Sequence, residues 1–397
     1  MALKFARILH FLLILACMLV LTAVRSEARS LQDASGIERH IIDEKLRTDE
    51  IKSIKDAFDK AIRKEKIYNA YEFNSDEILE NTLKGKPMDN LKGIPRLFMS
   101  LFGKEIKANI GLALQIMAIM LLGALIRALQ PLSEGMAYEA AKLGINGIIV
   151  LTASVAFGSV VKIATYAIDT MQNIASVAIP AIYALMAASG QIVSVAAIQP
   201  LMLVGVNIAC QILKDFLLPM AVTAGVLFLI DSISERFSLK KLAKLFKSCS
   251  VWMTGVITLV FSVAVSIQKL ASASVDAVTL KTAKFAIGTF IPVAGKYMSD
   301  AADTILLCAS AVRNAAGILT VIALGLIFLA PLVKVFAVML VIRIAAAFGS
   351  PVCDENITDA LEDASGCISV IIGIMGASMF VLILLTGTLM NSGGLLT

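Results

Sequence analysis

The chain has 397 residues, 58% hydrophobic and 16% charged, with mean hydropathy +0.85 and formal net charge +5. A soluble globular chain is nearer half apolar and a quarter charged. Roughly half of the charges fall between Arg25 and Lys107, which excludes a soluble enzyme and describes a short polar segment joined to a large membrane body.

Residues 1–28 read as a signal peptide. Lys4 and Arg7 make a positive start, Ile8 to Val24 is apolar, and Ser26-Glu27-Ala28 offers small residues where a signal peptidase cuts. The apolar run is also near the ~18 residues of a membrane span, so an uncleaved first helix is the alternative. Either way the chain after residue 28 is expected outside the cytoplasm.

Residues 29–105 read as a charged extracytoplasmic helical domain. Ile37, Ile41, Ile51, Ile54, Phe58 and Ile62 recur at helical spacing and define one apolar face. Asn74-Ser75-Asp76 before Glu77-Ile78-Leu79 reads as a cap opening a second helix. Gly85, Pro87, Gly93 and Pro95 then break the chain. This segment serves as a juxtamembrane spacer or as a docking surface for an external partner.

Residues 106–397 form the polytopic transmembrane domain. Apolar runs lie near 109–127, 143–162, 174–190, 194–213, 217–233, 249–267, 314–333, 335–349 and 367–390, each approaching the ~20 residues that cross a bilayer. Only helices satisfy every backbone amide internally at this density of spans. The fold class is therefore all-α, a polytopic membrane helical bundle of about seven to nine spans with a small N-terminal extracytoplasmic helical domain. The loop 234–248, with Arg236, Lys240, Lys241, Lys244 and Lys247 against Glu235, marks the cytoplasmic side. The loop 350–366 carries Asp354, Glu355, Asp359, Glu362 and Asp363 without a cation and is expected outside. Nine crossings meet both conditions and leave the C-terminus inside. The mixed segment 268–313 is too polar to span and reads as an interfacial or re-entrant hairpin on the amino domain's side.

A shift of 112 residues aligns Ile179-Pro180 with Ile291-Pro292, Gly205 with Gly317, Phe216-Leu217 with Phe328-Leu329, and Pro219 with Pro331. Duplicated units with proline-broken helices are common in transporters. Equivalent units should cross the membrane equally often, which conflicts with nine crossings.

The chemistry is sparse. The two histidines, His10 and His40, both precede the membrane body, which leaves that body without an imidazole for base catalysis or zinc. No phosphate-binding loop is present, and the six cysteines lack metal spacing. Cys353 and Cys367 flank the acidic loop, where unpaired thiols are favoured over a bridge. No catalytic, cofactor or metal residues are expected. Polar residues at membrane depth usually face a bundle interior. The candidates are Gln115, Asn207, Gln211, Lys334 and Arg343, with Asp231 near an interface. Arg343 is the foremost as an inter-helix contact or pore-facing cation. Arg127, Lys162 and Lys214 read as cations snorkelling from helix ends.

The run from Lys281 to Ile305, through Phe285, Ile291-Pro292 and Gly295-Lys296-Tyr297, resembles the stage III sporulation protein AE family. The basic Ser238-Leu239-Lys240-Lys241-Leu242 motif, the leader and the many-span body agree. The resemblance implies a non-enzymatic membrane platform or channel subunit. The complex joins mother cell and forespore and is required for late forespore sigma-factor activity. Its implied partners are the other subunits of that complex, including an ATPase and ring-forming proteins, together with the lipid bilayer and without nucleic acid. The implied location is the mother-cell membrane facing the forespore. The alternative is a secondary transporter of a small metabolite.

Overall fold

A computed structural model of the chain describes residues 41–42, 44–64, 73–84, 86, 93–128, 136–233, 238–290, 295–351 and 353–390. The leader lies outside them. Two short helices come first, α1 (Asp49–Lys64) and α2 (Ser75–Leu83). The apolar face read from spacing is real: Ile51, Ile54, Phe58 and Ile62 are all buried. The Asn74 side chain accepts from the Asp76 amide at 3.0 Å and caps α2, satisfying one of the donors a helix start leaves open. These helices pack on α4 and α8 of the body rather than forming a core of their own.

Long helices follow: α3 (Ile94–Ala128), α4 (Met136–Ala188), α5 (Ile192–Gln211), a π-helical turn at Ile212–Leu217, α6 (Leu218–Asp231), α7 (Lys240–Phe290), α8 (Gly295–Gly349) and α9 (Glu355–Met390). The boundary read at residue 105 between the polar segment and the membrane body is internal to α3, whose Pro95 sits in the first turn, where a missing amide is harmless. α4 stops at a glycine: Gly190 has φ 86, the Gly190 amide bonds Ala187 O at 3.0 Å, and the Gln191 amide bonds Met186 O at 3.2 Å. This is the left-handed cap that ends helices through glycine. The π turn directly precedes Pro219, whose ring and missing N–H disturb the preceding turn of the ladder.

Among the described residues six helical stretches are long and apolar enough to cross a bilayer: Ile94–Ala128, Glu139–Ala188, Pro200–Asp231, Lys240–Ile267, Ala301–Gly349 and Glu355–Met390. This is the architecture of a multi-pass membrane protein, and it corrects the expectation of nine runs. The runs 143–162 and 174–190 are one helix, as are 314–333 and 335–349. Polar residues interrupt the hydropathy there without interrupting the backbone, and Pro180 and Pro331 lie inside continuous helices. The segment 268–313 is helical on both sides of residues 291–294, which lie outside the described residues. It is the end of α7 and the start of α8.

α8 and α9 form the centre. α8 packs on α9, α4 and α3, and α9 also packs on α6 and α7. Phe102 of α3 meets Phe336 of α8 with ring centroids 6.0 Å apart. Gly225 lets α6 approach α4 and α9 closely, since a Cβ there would lie 2.5 Å from Phe157 and 3.4 Å from Cys367. α4 with α5–α6, and α7 with α8, are successive hairpins running in the same directions. The 112-residue shift maps one onto the other in chain order, so the two units cross equally often.

The outer helices carry their own measure of membrane thickness. Lys107 and Arg127 on α3 are twenty positions apart, as are Lys142 and Lys162 on α4, with no charge between them. Twenty residues of helix rise ~30 Å, the thickness of the hydrocarbon core. α4 continues past Lys162 to Ala188, a further ~39 Å of helix.

Candidate functional site

The charges of the body gather where α3, α6 and α8 end and α4, α7 and α9 begin. Asp354, just before α9, pairs with Arg127 at the end of α3 and with Lys142 of α4 at 3.7 Å. The Cys353 thiol beside it donates to Met120 O at 3.3 Å. Burial pushes that thiol's pKa up, opposed by the Arg127 charge. Asp231, at the end of α6, accepts from the Leu239 and Lys240 amides, the latter at 3.0 Å, and so caps α7 from another helix. Lys240 pairs with Asp359 at 3.3 Å and Lys247 with Asp363 at 4.0 Å. Lys247 also lies over the Phe228 ring, 5.5 Å from its centre.

These pairs overturn one expectation. The acidic segment 350–366 is at the same end as the basic segment 234–248, not across the membrane from it. Lysine and arginine set membrane orientation, and acidic residues contribute little. The acidic residues are there as partners for the cations. With the basic end cytoplasmic, α9 runs away from the cytoplasm and Met390, its last described residue, lies at the opposite end.

A second charged group sits deeper. Lys214 of the π turn pairs with Asp169 of α4 at 2.8 Å and lies 3.8 Å from Asp215. Lys214 is thus tied between helices rather than merely snorkelling. A third is Arg313 of α8, fully buried. Its guanidinium donates to Ser189 Oγ at 3.2 Å and to Met390 O at 3.0 Å. Both acceptors are at helix C-termini, where backbone carbonyls concentrate negative partial charge.

Of the residues singled out from the sequence, Asp231, Lys240 and Lys247 take part in these contacts. Lys241 and Lys244 are exposed on the first turns of α7, and Arg236 lies outside the described residues. Asn207 and Gln211 are exposed on α5, Lys334 is half-buried, and Arg343 is exposed on α8. From the sequence Arg343 is expected to be an inter-helix contact or a pore-facing cation. It points outward, two turns from the end of α8. Cys353 and Cys367 are free thiols.

Sequence reasoning passed over Arg313, Asp169 and a hydroxyl stripe on α7. Ser250, Thr254, Thr258, Ser262 and Ser266 recur every fourth residue, and each donates to the carbonyl four residues back at 2.7–2.9 Å. That spacing was readable. The back-bonding satisfies each hydroxyl within its own helix. The assembled charges hold helix ends together and present a charged face.

The family model described as "Stage III sporulation protein AE (spore_III_AE)" matches residues 73–393. A relative from Bacillus subtilis (strain 168), "Stage III sporulation protein AE", is 28% identical over 248 residues, covering 62% of this chain and 62% of the relative. The chain thus aligns with somewhat under two thirds of that relative's length. No solved structure matches.

Proposed function

The chain belongs to the stage III sporulation protein AE family, and on that premise we propose that it is a non-enzymatic platform subunit of a channel complex between mother cell and forespore. The observation that carries the reading is the extent of the family match, residues 73–393, which takes in all six long apolar helices. In this reading the protein sits in the mother-cell membrane. The basic end faces the cytoplasm and the complex's ATPase, while α1, α2 and the protruding helices face the forespore and the ring-forming subunits. Its task is to support late sigma-factor activity in the forespore.

Deleting the gene tests this. Engulfment should be completed while forespore expression after engulfment fails. Normal late forespore expression in the deletion strain would refute the proposal.

One observation favours a second reading, a secondary transporter. The two hairpins repeat in the same directions, and the first contains a π turn with the Lys214–Asp169 pair, the kind of broken helix that holds substrate sites in transporters. Gradient-driven uptake by the purified protein alone in liposomes would favour this reading over the platform.

A further inference from the structure

The start of α7 holds four cations, Lys240, Lys241, Lys244 and Lys247, and the structure divides them. Lys240 and Lys247 are engaged by Asp359 and Asp363. Lys241 and Lys244 are exposed, one turn apart on the outer face, with no ion pair among the described residues. Cations in a first helical turn are opposed by the helix dipole, so this placement has no local benefit to the fold. Asp231 already holds two backbone amides at this helix start, those of Leu239 and Lys240, which leaves the exposed lysine side chains as the main groups to meet an anion.

The same face continues into the membrane. Leu245 is 63% exposed, Trp252 is 62% exposed, and Leu259, Val263 and Ile267 follow as exposed aliphatic residues. Lysines, then a tryptophan, then aliphatic side chains is the order of headgroup, interface and hydrocarbon. From Lys247 to the next cation, Lys269, no charge occurs in the sequence, long enough for one crossing.

We propose that Lys241 and Lys244 form an anionic-phospholipid site at the cytoplasmic leaflet, anchoring the basic end of the bundle on lipid headgroups through this face of α7. Charge complementarity and continuity with the lipid-facing stripe identify the occupant as a lipid. A free phosphate has no use for Leu245 and Trp252, and an acidic protein has no use for the aliphatic stripe beyond them. The inference needs the membrane fold and not the channel reading, so each can fail without the other.

Trp252 is the chain's single tryptophan, which gives a direct readout. The full chain is reconstituted in vesicles of equal phosphatidylglycerol and phosphatidylcholine, with bromine quenchers on one lipid or the other. Brominated phosphatidylglycerol should quench Trp252 more than brominated phosphatidylcholine. In K241Q/K244Q the preference should vanish, an affinity loss of about 30-fold if each lysine contributes about 1 kcal/mol at a charged surface. K241R/K244R should keep it, which separates loss of charge from loss of fold. Equal quenching by both lipids in the unaltered protein overturns the proposal, as does an unchanged preference in K241Q/K244Q. Relief of the preference by millimolar inorganic phosphate at constant ionic strength overturns the lipid assignment. Retention of the lipid preference in K241Q/K244Q together with loss of a co-purifying cytoplasmic protein makes the lysines a protein-docking site and overturns it too.

Discussion

Arg313 shows how much one residue can hold. Its guanidinium is fully buried and joins the ends of α4 and α9 to α8. Arg313→Ala removes those donors and leaves a cavity, so it should destabilise the protein by about 3 kcal/mol. Arg313→Lys should recover less than half, because a point charge cannot copy two diverging donors. Thermal unfolding in detergent checks both; an unchanged Tm for Arg313→Ala contradicts the role. Asp59 of α1 offers a pH test. Burial raises its pKa above 3.8, against a 3.4 Å bond from Ser75 Oγ and the nearby Arg63 charge. A raised carboxyl binds more protons folded than unfolded, so its share of stability is greatest below the unfolded pKa and falls as pH rises through the folded one. Asp59→Asn should therefore raise Tm at pH 7, with the gain shrinking toward pH 4. A gain that grows on acidification would reverse the sign of this account.

At the scale of elements, ion pairs set how helix ends meet. Lys240–Asp359 and Lys247–Asp363 join α7 to α9 near an exposed end, and such pairs are worth at most about 1 kcal/mol each. Lys247→Asp should destabilise by about that amount, Asp363→Lys likewise, and the double reversal should recover part of the loss. Additive losses in the double variant would show that the two residues do not interact. Packing makes a stronger demand. Gly225→Val forces a methyl group against Phe157 and Cys367 and should cost about 1–3 kcal/mol, read as a lowered Tm. Helix identity was legible in the sequence: the apolar faces of α1 and the Asn74 cap come directly from spacing and side-chain chemistry. Helix extent was not. Lys162, Asp169 and Lys334 made separate hydropathy runs out of continuous helices, because a charge within a long helix lowers a window of fixed width just as a loop does. The roles of Asp231 and Lys240 were also hidden, since a cap supplied by a neighbouring helix leaves no local pattern.

At the scale of the whole molecule, six of the described helices are long and apolar enough to cross a bilayer, and two of them, α3 and α4, carry cations twenty positions apart. α4, α7 and α8 are each over fifty residues long, more than a single crossing needs. The sequence carried the orienting charge in 234–248 and the repeat that demanded equal crossings. It misled where acidic residues were given weight in orientation, and the resulting nine crossings had to place Asp359 across the membrane from the Lys240 it contacts. Asn207 and Gln211 are exposed on α5; polarity in an apolar run does not by itself say which way a side chain faces. The most direct test is the side of the membrane on which three positions fall. Reporter fusions after residues 240, 355 and 391 in living cells should place the first two in the cytoplasm and the third outside. A reporter at 355 that is external while that at 240 is cytoplasmic would contradict the six-helix arrangement.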